Sequence, residues 1–140
     1  MSIETAVGVV VLKKKVLVVE DRKDAWDRIR ETFTRLGDLV IIVPATTIRE
    51  ARECLHANPD VVAIALDYGV PEDEGGDADT SNTLALADEI RETFKGRIIA
   101  MGSFPPDREK QMRHGCSVSC TEKGLLWQEV ERIVNPQRAA

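Results

Sequence analysis

The chain has 140 residues and 43% hydrophobic content, enough for one domain with one core and unlike a disordered or fibrous composition. Its 19 basic residues are outnumbered by 24 acidic ones, giving a net charge of -5 and a pI near 5.1, which argues against non-specific grip on nucleic acid through clustered Lys and Arg. No apolar run is long enough to cross a bilayer, and three cysteines (Cys54, Cys116 and Cys120) are an odd number that argues against a disulfide framework.

Residues 1–13 read as an N-terminal arm or extra strand. The run from Val7 to Leu12 is rich in β-branched residues and follows Glu4, without the basic flank or cleavage site of a secretion signal. The arm suits completion of a sheet edge or pairing between two copies of the chain, so a homodimer is one expectation. The first strand of the main domain is Lys15–Val19, ending at Glu20 and Asp21. Trp26, Ile29, Phe33 and Leu36 then recur at helical spacing, and Gly37 stops that helix. The second strand runs from Leu39 to Val43.

Thr47 to Glu50 fits a capping box, opening a helix whose inward residues are Ile48, Ala51 and Leu55. Asn58, Pro59 and Asp60 form a turn. The third strand, Val61–Leu66, is apolar at every position, as expected of a strand covered on both faces, and it ends at Asp67. Pro71 to Asn82 is a polar, acidic loop, read as solvated. Leu84, Ala87, Ile90 and Phe94 mark the third helix, and Arg97 to Met101 the fourth strand. A very polar helix starts at Pro105, Pro106 and Asp107, with proline where its missing amide costs nothing. Cys116 to Cys120 is the fifth strand, and Leu126, Val130 and Ile133 define the last helix.

Strands alternating with helices imply an α/β fold: a doubly wound, flavodoxin-like sheet of five parallel strands in order 2-1-3-4-5, covered on both faces. Residues 14–135 form that domain and 136–140 a C-terminal tail, with no segment left for a DNA-binding domain.

Ligands bind such sheets beyond the carboxyl ends of the strands, where the strand order reverses. There the first strand presents Glu20 and Asp21, and the third presents Asp67. Converged carboxylates repel unless a cation lies among them, and hard oxygen donors favour Mg2+. An Asp carboxylate is a competent nucleophile toward phosphorus, and Lys123, after the fifth strand, is placed to neutralise a phosphoryl oxygen. Taken singly, each acid reads as a helix cap and Lys123 as a solvated lysine. Cys116 and Cys120, near His114, read as buried structural cysteines and not as a zinc site. His56 reads as a helix-surface residue, and Trp127 as packing beside the last helix.

Three segments resemble the response-regulator receiver family. They are Lys15 to Asp21 (KVLVVED), Asp67 to Pro71 with Gly75 beyond it, and Thr121 to Lys123; the likeness spans roughly residues 14–134. The resemblance implies that Asp67 accepts phosphate from a histidine kinase or phosphotransfer protein. It implies that Glu20, Asp21, Asp67 and the Gly69 carbonyl hold Mg2+, and that Lys123 contacts the phosphoryl group. It implies signalling through a downstream protein target rather than enzymatic turnover of a substrate. The lack of an apolar span, of a secretion signal and of an attached DNA-binding segment leads to the expectation of a cytoplasmic chain without membrane contact or direct DNA binding.

The chain departs from the family pattern at four places. Gly102 stands at the usual hydroxyl position, with Ser103 one step later as the candidate phosphoryl contact. Ser103 serves only if the strand has ended or bulged by then, since neighbouring strand residues point to opposite faces. Cys120 replaces an aromatic, Gly124 replaces a proline, and the loop after Asp67 is longer. These altered positions motivate a second reading, a phosphorylation-independent adaptor or dimerisation module. A haloacid-dehalogenase type of phosphohydrolase would need a second Asp two residues after the nucleophile, where Gly69 stands, and no glycine-rich loop for a flavin or nucleotide follows the first strand.

Overall fold

Successive residues of the first strand point to opposite faces of one sheet: Leu17 and Val19 join one core, Val16 and Val18 the other. A computed structural model describes residues 12–139; the expected arm strand at 7–12 lies almost wholly outside the described residues. The strands are β1 (Lys14–Val19), β2 (Val40–Ala45), β3 (Ala63–Leu66), β4 (Arg97–Ala100) and β5 (Val118–Ser119). They form a five-stranded parallel sheet in order β2-β1-β3-β4-β5, the order expected. The longer third and fifth strands expected reflect real pairing beyond these cores. Val62 and Asp67 donate to Lys15 and Val19, and Ser117 and Cys120 donate to Ile98 and Ala100.

The helices are α1 (Lys23–Phe33), α2 (Ile48–Ala57), α3 (Leu84–Arg91), α4 (Pro105–Arg113) and α5 (Leu126–Val134), followed by a four-residue helical turn, Pro136–Ala139. Ile48 and Ala51 of α2 and Leu86, Ala87 and Ile90 of α3 pack on the Leu17 side of the sheet. Trp26, Ile29 and Phe33 of α1, with Leu126 and Val130 of α5, pack on the Val16 side. Each of the larger side chains, Ile, Leu, Val or Phe, contributes about 1.5–3 kcal/mol when fully buried. Between α1 and β2 a 3-10 segment, Thr34–Leu39, keeps Leu36 buried. Gly37 turns the chain there at φ 57°, a left-handed conformation open to glycine.

Two expectations need correction and a third is refined. In α3 the core side chain is Leu86, not Leu84, and Phe94 lies beyond the helix, half-buried against the core. The Thr47 hydroxyl does accept from the Glu50 amide at 3.0 Å, but the Glu50 carboxylate reaches one residue further back, to the Thr46 amide at 2.7 Å. The loop from Pro71 is exposed from Glu72 to Asp77, as expected of a solvated loop, but its start is tied to α2. Ile48 and Arg49 donate to the Pro71 and Glu72 carbonyls, and Arg49 and Arg52 pair with Asp73 and Glu72 at 2.5 and 3.0 Å.

Candidate functional site

The pairing of Val19 with Leu66 brings the next residues, Glu20 and Asp67, side by side at the carboxyl end of the sheet. Carboxylate oxygens of Glu20, Asp21 and Asp67 all lie within 4.8 Å of one another. Glu20 is fully buried and Asp67 is 6% exposed. Lys123, four residues beyond β5 in a 3-10 turn (Lys123–Leu125), returns to this group. Its ammonium lies 2.5 Å from Glu20 Oε1 and 3.1 Å from Asp67 Oδ1.

Burial first, and Asp67 second, push the Glu20 carboxyl up to about 7, against the pull of Lys123. Burial, with Asp67 adding to it, also raises Asp21. Burial depresses the Lys123 ammonium, but the Asp67 and Glu20 charges outweigh it and hold the pKa above its ordinary value.

The backbone beneath these side chains is held by groups that sequence patterns did not single out for the site. Trp26 Nε1 donates to the Glu20 carbonyl at 2.6 Å, and the Arg22 amide donates to Glu20 Oε2 at 3.2 Å. Thr83, fully buried ahead of α3, gives its hydroxyl to the Asp67 carbonyl at 2.6 Å instead of capping its own helix. Asn82 Oδ1 accepts from the Leu84 amide in its place. A threonine before a periodic run signals a helix start; nothing in that signal reports where its hydroxyl goes. Trp26 was legible as core, but its indole hydrogen bond was not.

Asp21 and Asp67 open into a crevice of about 380 Å³ also lined by Arg22, Gly69, Ala78–Asn82, Ser103 and Asp107. One wall is thus the far end of the acidic loop, and Gly69 lies close enough that a Cβ there would come within 3.1 Å of the Ala78 carbonyl oxygen. The sheet strand β4 ends at Ala100, so Ser103 comes after the strand and reaches the crevice rim, exposed. Gly102 behind it is buried. Cys116 and Cys120 are buried and free, with burial pushing their thiols up to about 12 and about 11, so both stay protonated and unreactive at neutral pH. Neither belongs to a metal-ligating group among the described residues.

The donors present fit a hard divalent cation. Asp21 Oδ1 is buried without a hydrogen-bond partner, and Glu20 Oε1 has only its charge contact with Lys123. Buried carboxylate oxygens left unpaired are costly, and Mg2+ favours a few carboxylates with an open side such as this crevice provides.

Solved structures with this architecture are numerous. A two-component response regulator from Clostridium difficile superposes with TM-score 0.71 at 16% identity, covering 91% of this chain and all of that one (100%). The fold is that of response-regulator receiver domains. The phosphorylated cyanobacterial phytochrome response regulator RcpA matches with TM-score 0.70 at 16% identity over 88% of this chain and 94% of its own. The BeF3-activated N-terminal receiver domain of Klebsiella pneumoniae RstA matches with TM-score 0.67 at 16% identity over 87% and 99%. No family model matches the sequence, and no curated protein matches it. Among the described residues, no helix is long and apolar enough to cross a membrane.

Proposed function

We propose that this chain is a receiver that takes a phosphoryl group onto Asp67 from the phosphohistidine of a histidine kinase or phosphotransfer protein. The observation that supports it is the convergence of Glu20, Asp21, Asp67 and Lys123 at the carboxyl ends of β1 and β3 and just after β5. An Asp67 carboxylate oxygen attacks phosphorus; the new P–O bond forms as the P–N bond breaks, and the electron pair leaves with the imidazole nitrogen, which takes up a proton. Water attacking the same phosphorus later releases inorganic phosphate and restores the carboxylate. Lys123 faces the developing charge on a phosphoryl oxygen, and Ser103 contributes a hydroxyl from the crevice rim.

Glu20, Asp21, Asp67 and the Gly69 carbonyl would hold Mg2+, whose charge offsets that of the phosphoryl oxygens when bound. Such a cation would take over the Glu20 carboxylate that Lys123 now contacts, which would leave Lys123 to the phosphoryl group. The signal passes in the cytoplasm to a protein target by contact.

Intact-mass spectrometry after incubation with Mg2+ and acetyl phosphate tests this reading. One added phosphoryl group, absent without Mg2+ and absent from Asp67→Asn, is expected. An unmodified wild-type chain, under conditions that label another receiver, would overturn it in favour of a phosphorylation-independent adaptor.

A further inference from the structure

Helix α4 is unusual in what it buries. Its sequence, PPDREKQMR, has no Leu, Ile or Val, and its buried residue is Gln111, 1% exposed. A buried primary amide is costly unless both of its ends are hydrogen-bonded. Both are: Nε2 donates to the Leu66 carbonyl at 2.9 Å, and Oε1 accepts from the Gly102 amide at 2.9 Å.

The two partners are the residues immediately before Asp67 and immediately before Ser103. One rigid planar amide therefore spans the phosphoacceptor strand and the loop that carries the hydroxyl, beyond the last ladder bond, in which the Met101 amide donates to the same Leu66 carbonyl at 2.9 Å. The same helix holds the other side of Gly102, since Arg108 Nη1 donates to its carbonyl at 2.8 Å. The space at residue 102 is already taken. A Cβ there would meet Gln111 Oε1 at 3.0 Å, Asp107 Cβ at 3.1 Å and Tyr68 Cβ at 3.3 Å. Gly102 and Gln111 thus go together: the missing side chain of one is the room occupied by the other.

We infer that Gln111 is a positioning residue for phosphoryl transfer, fixing the spacing between Asp67 and Ser103 through Leu66 and Gly102. This rests on the reading of Asp67 as phosphoacceptor. It assigns the departure at Gly102 a purpose, in that alignment of the Ser103 hydroxyl is delegated to a side chain from α4.

The test measures the rate of Asp67 adduct formation from acetyl phosphate, with Mg2+ affinity measured separately. Gln111→Met keeps the length of the side chain and removes both hydrogen bonds. It is expected to slow adduct formation by roughly tenfold to a hundredfold, the cost of misplacing a reacting group by about 1 Å, while Mg2+ affinity stays unchanged. Ser103→Ala is expected to slow it comparably, and the double variant no further, because one acts through the other. Gln111→Glu guards against a variant that fails to fold. Its carboxyl, once protonated, restores a donor to Leu66 and an acceptor for Gly102, so its rate relative to wild type should recover as pH falls. Recovery of the rate across a pH range in which the melting temperature of Gln111→Glu relative to wild type stays constant separates positioning from packing, and recovery that only follows stability would overturn the inference. Wild-type rates in Gln111→Met, or losses that multiply in the double variant, would overturn the inference. A wild-type chain that forms no adduct overturns the parent reading as well, and is seen before any variant is made.

Discussion

Lys123 Nζ lies 3.1 Å from Asp67 Oδ1 while also contacting Glu20 Oε1, so one buried ammonium is shared between two buried carboxylates. Removing one partner of a buried charge group costs more than the group itself contributes, typically about 3–5 kcal/mol, because the remaining charges are left uncompensated. Lys123→Ala is therefore expected to lower stability in urea by an amount of that order, unless Glu20 takes up a proton instead. Added Mg2+ should restore stability in this variant more than in wild type. Equal Mg2+ responses in the two proteins would show that cation and lysine do not share these carboxylates.

The Glu20 carboxyl has a folded-state pKa of about 7 against an ordinary value of 4.5, raised first by burial and then by Asp67. A carboxyl raised on folding stabilises the chain below its unfolded pKa, and that contribution is lost as pH climbs through the folded one. Between pH 4.5 and 7 the Glu20 contribution to metal-free stability should fall with rising pH. Mg2+ binding needs the ionised carboxylate, so its affinity should rise over the same window with release of a proton. Calorimetric titration at pH 6 and pH 8, in buffers of different ionisation enthalpy, measures both. An affinity independent of pH would remove Glu20 from the metal site.

Trp26→Phe keeps the aromatic packing on the α1 face and removes the indole donor to the Glu20 carbonyl. Leaving that acceptor unpaired should cost about 1–3 kcal/mol in urea unfolding. Mg2+ affinity should fall with it, because the turn that carries Glu20 and Asp21 is no longer tied down. Wild-type Mg2+ affinity in this variant would mean that the β1–α1 turn holds its geometry without the indole.

Thr83→Val is nearly isosteric and leaves the Asp67 carbonyl without its 2.6 Å hydroxyl donor. A loss of about 1–3 kcal/mol in thermal unfolding is expected, with Thr83→Ser close to wild type because it keeps the hydroxyl. Wild-type stability in Thr83→Val would show that the Asp67 carbonyl does not depend on this hydroxyl.

The apolar β-branched runs at Val16–Val19 and Val61–Leu66, and the helical spacing of Trp26, Ile29 and Phe33, are local patterns, so strand order and core faces could be read from them together with general rules of topology. Glu20, Asp21 and Asp67 were legible for the same reason: each follows directly on an apolar strand, and parallel pairing brings strand ends together. Thr83 and Gln111 were not, since they stand 16 and 45 residues from the carbonyls they bind and lie outside any apolar period. In the polar helix α4 every exposed position tolerates the same residue types as Gln111, and burial alone sets it apart. By itself the sequence determined which residues become strands and which acids end them, because hydrophobic burial acts on periodic, local information. Only the tertiary structure decided that Lys123 bridges Glu20 and Asp67, that the acidic loop walls the crevice, and that Gln111 fills the space at Gly102. Those contacts depend on distances between distant segments once the sheet is packed.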